Sequence, residues 1–220
     1  MSGTTALIVS GGARPDPLVV RSLPSIDFCV AADSGADNAR AVGIAVDAVV
    51  GDLDSVSAEA LDALRLRAAE IEEHPARKSE TDFELAMARA LAEQPDRLIV
   101  IGIGGGRLDH ELANFSVLAS EETGTVRVEA FVGSARVTVI RGSMAVSGVL
   151  GETISLLPAL GDAEGVTTGG LEYELADEPL RATSGRGVSN RFVAKEASIT
   201  VRRGVLLAIQ PHGLKERAIG

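Results

Sequence analysis

Apolar runs and helical patterns alternate along the first half of the chain. Strands are predicted for the segments TALIVS, DFCVAAD, VDAVVG, EIEEH and RLIVIGI, at residues 5–10, 27–33, 46–51, 70–74 and 97–103. Helices are predicted between and after them, at residues 34–43, 57–69, 79–94 and 108–122. In the last of these helices, the spacing of Leu108, Leu112, Phe115 and Leu118 predicts a single apolar side. Nearly continuous apolar strands that alternate with helices predict a parallel sheet covered on both faces.

The pattern changes after about Gly124. Short β-rich runs follow, among them ARVTVIRG, ETISLLP, ASITVRRG and VLLAIQP, with turn residues between them and no long helix. This pattern is typical of an antiparallel sandwich or barrel. The predicted fold is therefore an α/β domain with a parallel sheet at residues 1–133, followed by a small all-β sandwich domain at residues 134–220.

Composition and charge narrow the classes of function. The 220 residues carry a net charge of −10, which argues against a general partnership with nucleic acid or a membrane surface. No signal peptide or membrane-spanning run is recognisable, so a cytoplasmic protein is expected. The single cysteine, Cys29, lies in an apolar run and is interpreted as a core residue.

Polar clusters follow the predicted strands and open the predicted helices. In parallel sheets, ligands bind beyond the carboxyl ends of the strands, so these clusters are candidates for one shared site. The candidate residues are Asp33, Ser34, Asp37, Asp52, Asp54, Ser55, Lys78, Thr81, Asp82, Arg107, Asp109 and His110.

Two of these carboxylates, Asp52 and Asp54, stand one residue apart at the end of an apolar run. If the segment is extended, both side chains lie on the same side and repel each other. Mg²⁺ would relieve that repulsion, because it takes oxygen ligands and is often held by one or two carboxylates with substrate phosphates. Asp33 and Asp82 could complete such an acidic pocket. Alternatively, Asp54 or Ser55 caps the next helix and Asp52 is solvated.

Two further motifs allow a structural as well as a functional interpretation. In SETDFE, either Ser79 with Asp82 or Thr81 with Glu84 fits a helix-capping box. The segment GIGGGRLDH is neither a dinucleotide fingerprint nor a Walker A loop. Its glycines nevertheless permit close approach of a ligand, and Arg107 offers a planar fork for phosphate oxygens. His110 and Asn114, one helical turn apart, could contact the same ligand.

The ordered set of segments resembles the thiamine pyrophosphokinase (thiamine diphosphokinase) family. The segments are ALIVSGG, ADSGADNARAVGIAVDAVVGDLDSVS, KSETDFELAMARAL, GIGGGRLDHELANF, GLEYEL and SGRGVSNRF. The resemblance implies an enzyme that transfers the pyrophosphoryl group of ATP to the hydroxyl of thiamine with Mg²⁺, releasing AMP. It also implies an α/β nucleotide domain, a β-sandwich domain, and a homodimer with sites at the subunit interface.

The resemblance assigns roles residue by residue. It implies catalytic roles for Asp52, Asp54, Asp82 and Asp109, of which the first three would bind the metal. It implies ATP binding by Asp33, Ser34, Lys78, Thr81, Arg107 and His110, and thiamine binding by Ser189 and Asn190. The chain departs from the family at Ser34, at Ser79-Glu80, and in having no tryptophan, for which Phe192 is the expected aromatic substitute.

The expected mechanism is direct displacement at the β-phosphorus of ATP, in which positioning and charge neutralisation dominate. Mg²⁺, Lys78 and Arg107 would offset the negative charge, and Asp82 or Asp109 would accept the proton of the alcohol. The alternatives are a kinase or nucleotidyltransferase of the same architecture that acts on another small alcohol, and a nucleotide-sensing module.

Overall fold

The computed structural model describes residues 3–213 and contains two compact units. The first unit comprises the chain as far as Val117 together with Glu122–Gly133. The second comprises Leu118–Glu121 and the chain from Ser134 onward. None of the helices within residues 3–213 combines the length and the apolar composition that a membrane span requires.

A parallel sheet forms the centre of the first unit. Its strands are β1 (Thr5–Val9), β2 (Phe28–Ala32), β3 (Ala48–Gly51), β4 (Glu70–Glu73), β5 (Arg97–Ile101) and β6 (Arg127–Val132). They pair in the order β6-β5-β1-β2-β3-β4, and every pair is parallel. All residues of β1 and β3 are buried, as expected for strands covered on both faces. The predicted parallel sheet is therefore confirmed.

Five helices accompany this sheet. They are α1 (Pro17–Ser22), α2 (Gly35–Ala41), α3 (Ala58–Leu66), α4 (Asp82–Ala92) and α5 (Leu108–Leu118), and a 3₁₀ turn follows at Glu121–Thr123. Helix α4 packs on β1, β2 and β3, while α2 packs on β1, β2 and α3. The buried side of α4 includes Phe83, Met87 and Ala90. Cys29 is buried in β2 as predicted, and burial raises the pKa of its thiol.

Two features of these helices differ from the prediction. Helix α1 lies between β1 and β2, where no helix is predicted; the Asp16 carboxylate caps it by accepting from the Leu18 N–H at 2.7 Å, and Pro17 opens it. The predicted apolar side of α5 is wrong, because Leu108 and Leu112 are 69% and 60% exposed. The buried positions of that helix include Asn114, at 6% exposure, so a polar side chain occupies a place that the apolar spacing did not mark.

Gly35 is required where α2 approaches β1. A Cβ at Gly35 would clash with the carbonyl oxygen of Val9, which is backbone and has no freedom to rotate away. We expect Gly35→Ala to lower the free energy of unfolding by about 1–3 kcal/mol, measured by urea denaturation. Gly185→Ala is the matched control, since a Cβ at Gly185 meets no atom of the described residues within 4 Å. Equal stability of the two variants would contradict the close approach.

The second unit is an antiparallel β structure. Its strands are β7 (Ala135–Ser147), β8 (Thr153–Gly169), β9 (Glu178–Leu180), β10 (Asn190–Arg191) and β11 (Glu196–Gln210). Strand β11 pairs with β7 and β8, and β8 also pairs with β9 and β10. All these pairs are antiparallel, which confirms the predicted change of class between the two parts of the chain.

The strands of the second unit are longer than the apolar runs that predicted them. Gly142 and Gly204, interpreted as strand ends, lie inside β7 and β11. The register of β11 shifts around Gly204, which has φ +94°, so this glycine forms a bulge that bends a continuous strand. The sequence alone does not distinguish a glycine at a bulge inside a strand from a glycine at a turn between two strands.

Candidate active site

A cleft of about 450 Å³ opens at the carboxyl edge of the parallel sheet. Segments that follow β1, β2, β3 and β5 line it, together with the beginning of α4 and one side of α5. Strand order changes direction between β1 and β5, and such switch points are where open α/β sheets bind ligands. The predicted site residues that line this acidic cleft are Asp33, Ser34, Asp52, Ser55, Lys78, Thr81, Asp82, Arg107 and His110.

Three carboxylates meet in the acidic cleft. Asp33, Asp52 and Asp82 each offer an oxygen that lies within 4.8 Å of the other two, and all three side chains are partly buried. Gly51 makes room for them, because a Cβ there would lie 3.0 Å from Asp33 Cβ and 3.1 Å from Asp82 Oδ1. We call these three residues the acidic cluster.

Asp33 is the member of the cluster that most lacks a partner. Its backbone is left-handed, with φ +46°, and its N–H donates to the Val50 carbonyl at 2.9 Å. Within residues 3–213, its buried Oδ1 has no hydrogen-bond partner. Burial raises the pKa of Asp33, a hydrogen bond with the Ser34 backbone opposes that rise, and nearby negative charge adds to it. A bound cation would satisfy the oxygen and remove the repulsion, so the residues present fit a divalent metal.

Lys78 supplies positive charge to the cluster. Its Nζ lies 2.8 Å from Asp82 Oδ1, and the hydrogen bond to Asp82 raises the pKa of the lysine. Its side chain is only 12% exposed, which limits competition from water. The ammonium is thus positioned to offset the negative charge of Asp82 and to meet an anionic ligand.

Thr81 caps helix α4. Its Oγ1 accepts from the Glu84 N–H at 3.2 Å, and Glu84 Oε2 accepts from the Thr81 N–H at 2.7 Å. Of the two capping boxes that the sequence allowed, the one formed by Thr81 and Glu84 is present. Because Asp82 is the first residue of α4, this cap also fixes the backbone position from which the Asp82 carboxylate extends.

Asp54 lies outside the acidic cluster. The prediction that Asp52 and Asp54 lie on the same side of an extended segment is wrong. Leu53, between them, has φ +59° and turns the chain. Asp54 is exposed and accepts a hydrogen bond from its neighbour Ser55 at 2.8 Å. The alternative that Asp54 or Ser55 caps α3 is also wrong, because Ser57 Oγ accepts from the Ala60 N–H at 3.1 Å. The assignment of Asp54 as a metal ligand stays a prediction.

Asp37, one of the candidate residues, and Asn38, which was not among them, hold the loops of the site. The Asn38 amide donates to the carbonyls of Ser10 and Gly12, at 2.9 and 3.0 Å. The Asp37 carboxylate accepts from the Ser57 N–H at 2.9 Å and from its hydroxyl. Both lie on α2, which therefore anchors the loops that follow β1 and β3; helical spacing alone gives no such signal.

Two glycine-rich loops pair with each other at the edge of the cleft. The Gly12 N–H donates to the Gly102 carbonyl at 2.8 Å, and the Ala13 N–H donates to the Gly104 carbonyl at 2.7 Å. A Cβ on Gly12 would lie 2.5 Å from two carbonyl oxygens of the opposite loop. We call residues 10–13 and 102–106 the glycine clasp.

The GGRLDH segment stands at the exposed rim of the cleft. Arg107 and Asp109 form an ion pair at 2.6 Å, although their side chains are 72% and 64% exposed. The hydrogen bond from Arg107 lowers the pKa of Asp109, and Asp109 does not line the cleft. His110 and the buried Asn114 do line it, as their spacing on α5 predicts.

Comparison with known protein families identifies the family of this chain. The sequence model of the thiamin pyrophosphokinase catalytic domain matches residues 20–129, and that of the vitamin B1 binding domain matches residues 140–206. The chain belongs to the thiamin pyrophosphokinase family. Both the family and the prediction of an enzyme of this type are therefore confirmed.

Individual relatives agree with this assignment. The thiamine pyrophosphokinase of Bacillus subtilis is 25% identical over 183 residues, covering 82% of this chain and 86% of its own length. The crystal structure of thiamine pyrophosphokinase from B. subtilis shares the fold, with a TM-score of 0.82, 23% identity and coverage of 94% and 98%. The yeast thiamin pyrophosphokinase structure has a TM-score of 0.78 at 17% identity, covering 96% of this chain and 87% of that one.

The predicted thiamine residues lie in the second unit, within the span that matches the vitamin B1 binding domain. Ser189 is exposed and left-handed, with φ +61°. The Asn190 amide is buried and occupied: it accepts from the Tyr173 N–H at 3.0 Å and donates to the Tyr173 carbonyl at 2.8 Å. Asn190 thus holds the backbone of Tyr173.

Phe192 does not offer an aromatic face. It is 1% exposed, and a Cβ on Gly148 would lie 2.5 Å from its ring, so it packs in the apolar core of the second unit. The expectation that Phe192 replaces the missing tryptophan is therefore wrong. Tyr173, which is 64% exposed, is the aromatic residue that this part of the chain presents to solvent.

Proposed function

We propose that the chain is a thiamine diphosphokinase, which transfers the terminal pyrophosphoryl group of ATP to the thiamine hydroxyl and yields thiamine diphosphate and AMP. The acidic cluster carries this proposal. Three carboxylates converge at the carboxyl edge of the sheet, and no hydrogen bond from the described residues reaches a buried oxygen of Asp33. That arrangement suits a divalent ion and a polyanionic substrate, in a family named for this reaction.

The metal in this proposal is Mg²⁺, held by Asp33, Asp52 and Asp82, with Asp54 as a further ligand. An all-oxygen set of partly buried carboxylates is the donor set that Mg²⁺ prefers. When bound, the ion supplies charge neutralisation for the triphosphate and for the transferred group. The protein contributes fixed positions for the carboxylates, through Gly51 and the α4 cap.

The remaining residues of the cleft bind and orient ATP. Lys78 is a point charge within the cleft, while Arg107 presents a planar fork at its rim that suits phosphate oxygens. Asp109 orients Arg107 at the exposed rim and does not line the cleft. Of the two carboxylates considered for accepting the thiamine proton, Asp82 is favoured, because it lines the cleft.

The test is an incubation of the full chain with ATP and thiamine, with and without Mg²⁺, analysed for AMP and thiamine diphosphate. We expect both products in equal amounts, and neither when EDTA is present. Formation of ADP instead of AMP would indicate a simple kinase. ATP binding without product across a set of small alcohols would favour a nucleotide-sensing module.

In the second unit, Tyr173 offers its ring to the thiamine heterocycles, and Asn190 fixes its position. We expect Tyr173→Ala to raise the KM for thiamine by about tenfold while leaving the KM for ATP unchanged, because a cationic ring loses an aromatic partner. Tyr173→Phe, which keeps the ring, should stay close to wild type. Asn190→Ala should raise the same KM through the lost backbone contacts. An unchanged thiamine KM in Tyr173→Ala would contradict this role.

A homodimer is also part of the proposal. Leu108 and Leu112 are exposed on α5, in the same segment as the rim residues Arg107, Asp109 and His110. Covering these leucines with a second copy of the chain would bury apolar surface beside the active site. Light scattering on the purified protein tests this. A cytoplasmic location stays a prediction.

A further inference from the structure

Glu111 is a carboxylate of the acidic cleft to which the proposed chemistry gives no role. It lies in the first turn of α5, lines the cleft and is partly buried. It stands outside the acidic cluster of Asp33, Asp52 and Asp82. A carboxylate at this place repels an anionic ligand, so its presence in a cleft proposed to bind a triphosphate needs a physical reason.

The glycine clasp fixes the position of the Glu111 side chain. Glu111 Oε2 accepts from the Gly105 N–H at 3.2 Å. A Cβ on Gly104 would lie 3.3 Å from Glu111 Oε1, so the carboxylate packs directly against this loop. A neutral backbone donor therefore holds the negative charge at one wall of the cleft.

The charges that line the cleft are not balanced. Among the described residues, its lining carboxylates are the three of the acidic cluster with Glu80 and Glu111, and its lining cations are Lys78 and Arg107. Both cations pair with other carboxylates, Lys78 with Asp82 at 2.8 Å and Arg107 with Asp109 at 2.6 Å. Neither ion pair offsets the charge of Glu111.

Glu80 and Glu111 differ in their access to water. Glu80 is exposed and accepts a hydrogen bond from the Ser79 hydroxyl at 2.8 Å, so solvent screens its charge. Glu111 is partly buried, and its field reaches the cleft through a medium less polar than water. Of the two glutamates, Glu111 therefore has the stronger effect on a ligand in the cleft.

We propose that Glu111 is a specificity-determining residue, whose fixed charge repels polyphosphates that carry no divalent metal. The inference rests on the proposed function, which brings a triphosphate to this cleft. A divalent ion cancels two negative charges of a polyphosphate, so the same carboxylate opposes the metal complex less than the free anion. Glu111 acts here through its charge and not as a metal ligand.

The test is the binding of inorganic triphosphate by calorimetry, once with EDTA and once with Mg²⁺. In Glu111→Gln the amide oxygen keeps the hydrogen bond from Gly105, while the charge is lost. We expect the Kd with EDTA to fall by about three- to tenfold and the Kd with Mg²⁺ to change by less than about twofold. High salt should reduce the difference by screening the charge. Glu59→Gln, in the first turn of α3 at an exposed position outside the cleft, is the matched control.

Three outcomes would overturn the inference: an unchanged Kd with EDTA in Glu111→Gln, equal changes of Kd under both conditions, or no binding by either protein with EDTA. If Glu111→Gln does not fold, Glu111→Ala carries the same expectation for the ratio of the two Kd values. Its lost hydrogen bond to Gly105 weakens binding under both conditions and leaves that ratio as the readout.

Binding and turnover separate this inference from the proposed function. A selective gain of metal-free binding in a protein that makes no thiamine diphosphate would sustain the role of Glu111 and refute the proposed function. Normal turnover by the wild type, with an unchanged Kd in Glu111→Gln, would do the reverse.

Discussion

Asp52→Asn is expected to lower kcat by about 10³-fold and, without divalent ions, to raise the melting temperature. The two effects have opposite signs for one reason. Asp52 lies within 4.8 Å of the carboxylate oxygens of Asp33 and Asp82, so without a cation its charge repels theirs. The neutral amide removes that repulsion, but it also removes a proposed metal ligand. A group held for binding rather than for stability behaves in this way.

The measurement is a thermal melt with EDTA and another with Mg²⁺, beside an AMP-release assay. Added Mg²⁺ should raise the melting temperature of the wild type more than that of Asp52→Asn, because binding to the folded state stabilises it. Asp62→Asn is the control: it makes the same change at a surface ion pair with Arg65, where the side chains are 70% and 63% exposed. If Asp52→Asn is both destabilised and fully active, Asp52 has a structural role and does not bind the metal.

Asp54→Asn made in parallel ranks the two carboxylates of the GDLDS segment. Asp54 is exposed and hydrogen-bonded to Ser55, outside the acidic cluster. As a proposed further ligand, it should lower kcat when neutralised, but it should raise the melting temperature less than Asp52→Asn does. Activity close to that of the wild type would remove Asp54 from the metal site.

The position of the site could be predicted from the sequence because it follows from connectivity. Alternating strands and helices imply a parallel sheet, and a parallel sheet brings the carboxyl ends of its strands to one edge. Asp33, Asp52 and Asp82 are far apart in the chain, yet each follows a strand or opens a helix at that edge. No knowledge of side-chain conformation was needed to bring them together.

Predictions failed where a single backbone angle or a packing direction decided the outcome. The left-handed Leu53 separates Asp54 from Asp52, and a leucine gives no warning of that conformation. Gly204 bends β11 instead of ending it. Phe192 and Tyr173 are both aromatic residues of the second unit, but only the three-dimensional packing shows that Phe192 is buried and Tyr173 exposed.

Lys78→Met is expected to reduce kcat/KM for ATP by about 10²–10³-fold and to lower the free energy of unfolding by about 1–3 kcal/mol. Lys78 pairs with Asp82 at 2.8 Å, with a side chain that is only 12% exposed. Its loss leaves the partly buried Asp82 carboxylate unpaired next to two further carboxylates, and it removes a cation from the cleft that we propose binds the triphosphate. Lys78→Arg should keep most of the stability but not the activity, since a planar fork does not replace a compact ammonium.

A double-mutant cycle separates the two roles of Lys78. In Lys78→Met/Asp82→Asn neither partner is charged, so the free energy of unfolding should recover much of the loss seen in Lys78→Met alone. Activity should not recover, because the double variant lacks both the cation and a proposed metal ligand. Urea denaturation and AMP release measure the two quantities independently. If the destabilisations of the two single variants simply add in the double variant, the 2.8 Å pair between Lys78 and Asp82 contributes no coupling energy. If activity recovers, the cleft needs only a balance of charge and not these two side chains.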